Sequence, residues 1–339
     1  MMGLKIALIG CGMIGREHIE RIQNRIRNAE IVAVCDVFEA GAKKGAEIAG
    51  EGVKVYTDFH DAIGDPDVNA VVVTTPGQFH KDPVIAAIQA GKPVFTEKPL
   101  ALCTEQAEAF VRLEQEHPEL RIGVCLQNRY NLTTQKLREL LAQQPDDPVR
   151  NVRGVVIWSR SKAYYDASPW RAELRRAGGG VLQNQSIHTL DLMAYLGGPV
   201  ASIRGEILNL LDYGMDVEDT ATARLEYQSG AMGLFYATVA HGENTSVELD
   251  VSTAHTHYRI RDEKLFRVEN GVEALLAEDP QIQSGRGYWG SSHGRVIHSF
   301  YEALSGRAGD YPRASDGVYS LRMIDAIRRS SECKTAVRL

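Results

Sequence analysis

The sequence predicts an α/β protein: a doubly wound parallel sheet, followed by an α+β domain with a large, open, mainly antiparallel sheet. Two observations predict it. From residue 4 to about 126, short apolar runs alternate with amphipathic stretches, whereas after about residue 130 strand-like runs follow one another through short polar turns. The length of 339 residues suits two domains better than one.

In the first half the apolar runs are 5–9, 31–35, 53–56, 70–73, 93–95 and 122–126, and the helical patterns between them cover 14–26, 38–49, 82–90 and 104–116. Strands that are apolar on both faces and separated by helices imply a parallel sheet covered on each side. In the second half a helix is expected over 187–196, then strands over 203–208, 221–227, 231–240, 247–252 and 258–261, then helices over 295–304 and 317–331. The glycine-, serine- and glutamine-rich stretch 279–292 is expected to be a long loop, a kind of segment that is often functional.

Composition narrows the function. A hydrophobic content of 44% and a charged content of 24% suit a soluble globular protein. The net charge of −6 and the lack of a basic tail argue against a nucleic-acid partner. No window reaches the ~18 apolar residues of a membrane span, and the first apolar run is too short for a signal segment, so a cytoplasmic location is expected. The five cysteines form no CxxC pair, so no zinc or disulfide framework is suggested. His255 and His257 alternate on a strand pattern without a third ligand at metal spacing, so they read as solvated histidines and no metal site is expected.

The first strand runs directly into Gly10-Cys11-Gly12-Met13-Ile14-Gly15, which opens a helix. Gly10 permits the sharp turn, Gly12 lets the backbone approach a pyrophosphate, and Gly15 lets helix and strand pack closely. The helix N-terminus offers N–H groups to the phosphates. Asp36 closes the second strand, twenty-one positions after Gly15, where a carboxylate accepts the adenosine ribose hydroxyls and repels a 2′-phosphate. No Arg follows at 37–40, so NAD is favoured over NADP. Residues 1–126 thus read as an NAD-binding Rossmann domain, and 127–339 as a substrate-binding and oligomerisation domain.

Ligands of an open parallel sheet sit beyond the strands' carboxyl ends. Thr74-Thr75-Pro76 with His80 end the fourth strand, and Thr96-Glu97-Lys98-Pro99 end the fifth. A lysine beside a positively charged nicotinamide ring has a lowered proton affinity and can take the proton from a hydroxyl as hydride leaves the same carbon. Read alone, such a lysine is more often a solvated surface residue. Gln127-Asn128-Arg129-Tyr130 follow the sixth strand and are expected to face the pocket. Trp170 and Arg171 read either as a clamp on the cofactor or as a buried Trp beside a surface Arg. His188 reads either as a core histidine or as a catalyst, with Asp191 and Asp219 as possible orienting partners. The run Gly178-Gly179-Gly180 reads as a flexible turn that admits substrate. Tyr288, Trp289 and His293 are expected in the long loop, where rings can stack on a sugar.

Taken together, Gly10–Gly15, Asp36, Thr75-Pro76 with His80, Glu97-Lys98-Pro99, Trp170-Arg171 and the segment GGGVLQNQSIHTLDL over 178–192 resemble the Gfo/Idh/MocA oxidoreductases. Gly15-Arg16-Glu17-His18-Ile19 looks most like the inositol dehydrogenases of that family, and the second half looks like general sugar dehydrogenases. The resemblance implies NAD bound by Gly10, Cys11, Gly12, Met13, Ile14, Gly15, Asp36, Val37, Thr74, Thr75, Pro76, His80, Glu97, Lys98, Gln127, Trp170 and Arg171. It implies a catalytic Lys98, commonly with a cis peptide before Pro99, aided by His188, and substrate contacts from Lys98, Tyr130, Asn184 and His188. Many members carry Asp where this chain has Asn184, which cannot carry a proton but can hydrogen-bond a hydroxyl. The implied substrate is a cyclitol, sugar or sugar derivative bound between the domains, and the implied assembly is a homodimer or homotetramer. The alternatives are a UDP-sugar dehydrogenase and a non-catalytic NAD-sensing regulator. Retention of Glu97-Lys98-Pro99 and His188 argues against the regulator.

Overall fold

The computed structural model describes residues 3–26, 28–280, 292–307 and 309–339. The chain divides into two compact units, Met1–Leu126 with His293–Val318 and Gln127–Ser292 with Tyr319–Leu339.

The first unit alternates β1 (Leu4–Ile9), α1 (Met13–Arg25), β2 (Ala29–Cys35), α2 (Glu39–Ala49), β3 (Lys54–Tyr56), α3 (Phe59–Gly64), β4 (Ala70–Val73), α4 (Lys81–Gln89), β5 (Val94–Thr96), α5 (Thr104–Glu116) and β6 (Ile122–Val124). Among the described residues the six strands form one parallel sheet in the order β3-β2-β1-β4-β5-β6. Ile6, Ala7, Leu8, Val71, Val72 and Val73 are wholly buried, which is why these strands are unbroken apolar runs rather than alternating ones. The chain reverses its crossover direction between β1 and β4, and a crevice opens at the carboxyl ends of such a pair. Residues 293–318 fold with this unit. The Val124 N–H donates to the Pro312 carbonyl at 2.8 Å, and the Phe300 and Phe95 ring centroids lie 5.5 Å apart.

The second unit begins with α6 (Leu132–Ala142), β7 (Asn151–Ile157), the short helices α7 (Lys162–Asp166), α8 (Leu174–Ala177) and α9 (Val181–Asn184), and then α10 (Ile187–Gly197). Strands β8 (Val200–Leu208), β9 (Thr220–Tyr227), β10 (Met232–Thr238), β11 (Glu248–Ser252), β12 (His257–Arg261), β13 (Lys264–Glu269) and β14 (Val272–Glu278) follow. The chain closes with α11 (His293–Leu304), α12 (Ala314–Cys333) and β15 (Val337–Arg338). Among the described residues nine strands form one sheet, ordered β14-β13-β12-β11-β7-β10-β9-β8-β15, antiparallel except between β7 and β10. Helix α10 covers one face: a Cβ on Gly154 of β7 would lie 2.6 Å from Met193 Sδ and 2.8 Å from Thr189 Cγ2. On the opposite face Leu234 and Arg224 are exposed, so the sheet is open there.

Strands β7, β13 and β14 extend the sheet beyond the sequence expectation. Two tight hairpins build its β12–β14 edge. Asp262 and Glu263 (φ 52° and 55°), then Asn270 and Gly271 (φ 51° and 79°), each put two consecutive residues at positive φ, as a type I′ turn requires. Among the described residues no helix is long and apolar enough to cross a membrane.

Candidate active site

The glycine loop is shaped by close approach. Gly10 adopts φ +100°, and a Cβ there would lie 2.7 Å from the Thr75 backbone nitrogen; a Cβ on Gly15 would run into the Gly10 carbonyl. Gly12 differs: its Cβ would meet nothing within 4 Å, so the loop surface above it is open for a ligand. Met13 is exposed and Ile14 half-buried in the first turn of α1, where the N-cap Gly12 carbonyl accepts from the Arg16 N–H at 3.1 Å. Asp36 at the end of β2 accepts from the Cys11 N–H at 2.8 Å and the Phe38 N–H at 3.0 Å, and Val37 beside it is exposed. An open glycine, a helix start and a strand-end carboxylate fit a dinucleotide's pyrophosphate and ribose.

Several residues expected to touch the cofactor have side chains that support this loop from beneath. The Cys11 side chain is buried, with Sγ 3.7 Å from the Cys35 carbonyl, and burial beside Asp36 pushes its thiol up to about 12. Thr74 is buried and donates through Oγ1 to the Gly10 carbonyl at 2.6 Å. His80 is fully buried, with Nδ1 2.8 Å from the Pro99 carbonyl and Nε2 2.8 Å from the Thr75 carbonyl. With both ring nitrogens committed to backbone, His80 ties the end of β4 to the segment after Lys98 and presents no nitrogen to a ligand. Thr75 is half-buried and Pro76 exposed at the same strand end.

Lys98 follows β5, half-buried, and its peptide bond to Pro99 is cis. Burial lowers its proton affinity, while the neighbouring Glu97 charge partly restores it. Glu97 is only 6% exposed, and its carboxylate is met by groups of the interior. Its Oε1 lies 2.7 Å from His18 Nε2 on α1, its Oε2 accepts the Lys98 N–H at 3.1 Å, and it also hydrogen-bonds the Cys125 thiol. Burial alone would raise the Glu97 carboxyl, but the His18 hydrogen bond and nearby positive groups hold it well below the carboxylate range. His293, expected in the long loop, is the first residue of α11 and is buried with its ring 5.8 Å from that of His18. Tyr288 and Trp289 lie outside the described residues.

In the second unit a short 3-10 helix, Gln127–Tyr130, carries residues expected at the pocket. Gln127 is buried, and its amide nitrogen lies 3.3 Å from Nε2 of His188, the second residue of α10. Asp191 takes the Arg129 guanidinium as a fork (Nε–Oδ2 2.8 Å, Nη2–Oδ1 2.6 Å) and the Ser320 hydroxyl at 3.2 Å. Asp219 accepts from the Leu210 and Leu211 N–H groups at 2.7 and 2.6 Å. Both of these carboxylates brace other segments, while the Gln127 amide meets the His188 ring. Asn184 ends α9 with its amide donating to the Gly179 carbonyl at 3.0 Å. Arg171 lies over the Tyr164 ring at 4.3 Å, beside Trp170 at 5.5 Å, and donates to the Tyr164 carbonyl at 3.2 Å.

Two further expectations are corrected. The turn Gly178-Gly179-Gly180 is buried, not a flexible gate: a Cβ on Gly180 would run into the Glu218 carbonyl, and one on Gly179 into the Arg328 guanidinium. The Glu218 carboxylate holds the turn by accepting from the Gly180 and Leu182 N–H groups at 3.0 and 3.2 Å. His257 is not simply solvated: its Nε2 lies 2.7 Å from Asp250 Oδ1, within a cluster that includes Arg153 and Arg259, while His255 sits in the turn before β12. Among the described residues, one set of potential ligand atoms is mutually close enough for a metal, His18, Glu97 and Cys125. The hydrogen bonds they share account for it.

The chain matches an oxidoreductase family with an NAD-binding Rossmann fold over residues 4–124, and that family's C-terminal alpha/beta domain over residues 149–339. It belongs to the Gfo/Idh/MocA family. Inositol 2-dehydrogenase of Klebsiella pneumoniae is 42% identical over 130 residues, or 38% of this chain and 39% of that protein. The Salmonella typhimurium inositol 2-dehydrogenase is 34% identical over 140 residues, or 41% of this chain and 42% of that protein. The chain thus spans about two-fifths of the length of these curated relatives. The WlbA dehydrogenase from Bordetella pertussis, solved with NADH and UDP-GlcNAcA, is 26% identical with a TM-score of 0.85 and 99% of both chains covered. Levoglucosan dehydrogenase, solved with NADH and levoglucosan, shares the fold at a TM-score of 0.86 and 22% identity, again with 99% of both chains covered.

The sequence reading missed His18, Cys125 and Gln127 in their supporting roles. His18 stands three residues after Gly15 on α1, and its partner lies seventy-nine positions away, so only the folded unit brings the pair together.

Proposed function

We propose that this protein is an NAD-dependent dehydrogenase that oxidises a ring hydroxyl of a cyclitol or sugar, with Lys98 as the general base and His188 assisting. The observation that carries the reading is the state of Lys98. It stands at the carboxyl end of a central strand, in the unit that bears the open glycine loop, and burial lowers its proton affinity toward the range a base needs.

When bound, the nicotinamide supplies the hydride acceptor. The Lys98 amine takes the hydroxyl proton as the carbon gives up its hydride, and the C–O bond becomes a carbonyl. His188, paired with Gln127, holds or relays that proton. Asn184 hydrogen-bonds a neighbouring substrate hydroxyl, and Tyr130 lines the same pocket. Trp170 and Arg171 hold the cofactor, Asp36 selects NAD, and the open sheet face joins subunits as a homodimer or homotetramer. The partial matches to inositol 2-dehydrogenases support a cyclitol substrate.

A second reading, a UDP-sugar dehydrogenase, is favoured by the whole-chain likeness to the WlbA enzyme. Following NADH formation with inositols, hexoses, pentoses and UDP-sugars separates the two. Turnover of free polyols or sugars supports the first reading, turnover of UDP-sugars alone supports the second, and NADH binding without turnover of any would overturn both.

A further inference from the structure

Lys98 is braced on both sides. After it, His80 grips the Pro99 carbonyl; before it, Glu97 sits inside a cage of three donors, the His18 imidazole, the Lys98 N–H and the Cys125 thiol. A buried carboxylate is retained only where its lone pairs are met, and here they are met by groups on α1, on the chain after β6, and on the backbone of Lys98 itself. His18 is wholly buried and contacts the His293 ring edge-on, so its side chain is not a surface group that meets Glu97 by chance.

We propose that Glu97 and His18 form a positioning pair: His18 clamps the carboxylate, and the carboxylate fixes the Lys98 backbone and supplies a permanent negative charge beside its ammonium. This inference rests on the reading of Lys98 as the base. Among the described residues, Glu97, Cys125 and His80 are charged or titratable groups that act on Lys98. Burial, reinforced by the Glu97 charge, pushes the Cys125 thiol well up, so it remains a neutral donor. Burial, opposed by its two carbonyl partners, lowers the His80 imidazole. Glu97 is therefore the anion that counters the burial of Lys98. Loss of His18 has the same sign as loss of Glu97 but a smaller size, because the carboxylate loses one of its three donors and is held less firmly beside Lys98, while the Lys98 N–H and the Cys125 thiol still meet it.

The test is the titration midpoint of Lys98, read by competitive trace acetylation of the full-length protein with acetic anhydride and mass spectrometry of the peptide containing residue 98. Removing an opposite charge at this range moves an amine by ~1 pH unit or more. Glu97→Gln is expected to lower the midpoint by about that much and His18→Leu, which removes the donor, by less, while Glu97→Asp, which keeps the charge, stays near the wild-type value. If Glu97→Gln does not fold, His18→Leu carries the test alone. A midpoint unmoved by Glu97→Gln and His18→Leu, or moved equally by Glu97→Asp, would overturn the proposal even if their turnover falls. Turnover retained by Lys98→Met would instead remove the reading of Lys98 as base, and that outcome is separate from the acetylation result.

Discussion

The Asp36 carboxylate accepts the Cys11 N–H at 2.8 Å, so the residue proposed to discriminate the cofactor also anchors the glycine loop. A 2′-phosphate placed here would meet a negative charge, and like charges ~4 Å apart near a surface repel by ~1–4 kcal/mol. Asp36→Ala is expected to reduce the preference for NAD over NADP, measured as the ratio of kcat/KM values, by about tenfold or more. An unchanged ratio would remove the role.

The loop glycines separate folding from binding. Gly10→Ala forces a side chain into positive φ against Thr75 and is expected to cost ~1–3 kcal/mol of stability. Gly12→Ala meets no protein atom, so its melting temperature should match the parent while the NADH Kd rises by about tenfold or more. Thermal melts and NADH fluorescence titrations check both, and equal destabilisation by the two variants would contradict this division.

The Gly180 backbone packs against Glu218 with no room for a methyl group. Gly180→Ala should therefore destabilise the second unit by ~1–3 kcal/mol. Near-neutral stability in a denaturant melt would restore the picture of a loose turn.

Much of the fold was legible because its signals are local. Five of the six parallel strands are largely buried and announce themselves as apolar runs, the edge strand Lys54–Tyr56 being exposed, and the glycine loop sits where strand gives way to helix. The edge of the second sheet was less legible: Val272–Glu278 is rich in Ala, Leu and Glu, residues that favour helix, yet it is a strand. Asn270-Gly271 before it was the available signal, since that pair suits a two-residue hairpin turn. The site divides in the same way. Position along the strands singles out Lys98, Asp36 and Gly12, whereas the inward packing of the Glu97, His80 and Thr74 side chains was not legible. Side-chain direction at a strand end depends on partners remote in sequence, here His18, Pro99 and Gly10.

Asp65 gives a pH test independent of catalysis. Burial would raise its carboxyl, but Lys54 at 2.8 Å and the Tyr56 hydroxyl at 2.6 Å bring it down to about 2. A folded value below the unfolded one of ~3.9 means that the stabilisation is complete above that range and disappears as pH falls toward 2. Asp65→Asn should lower the melting temperature by a few degrees at neutral pH, with the gap to wild type closing in strong acid. A gap that persists there would contradict the ion-pair origin.

The pH dependence of oxidation runs in the same direction. As the proposed base, Lys98 must be neutral, so kcat/KM should rise with pH as it loses its proton. Because burial lowers that proton affinity, the rise should be complete below the ordinary lysine value of ~10.4. A limb still climbing in that range would argue against a desolvated lysine.

The most direct measurement compares Lys98→Met with the parent protein on a substrate that the parent oxidises, recording NADH affinity and kcat together. Methionine keeps the length and apolar stem of the side chain but cannot accept a proton, so NADH binding should persist while turnover falls by about a thousandfold or more. Turnover within a few-fold of the parent would show that the proton leaves by another route.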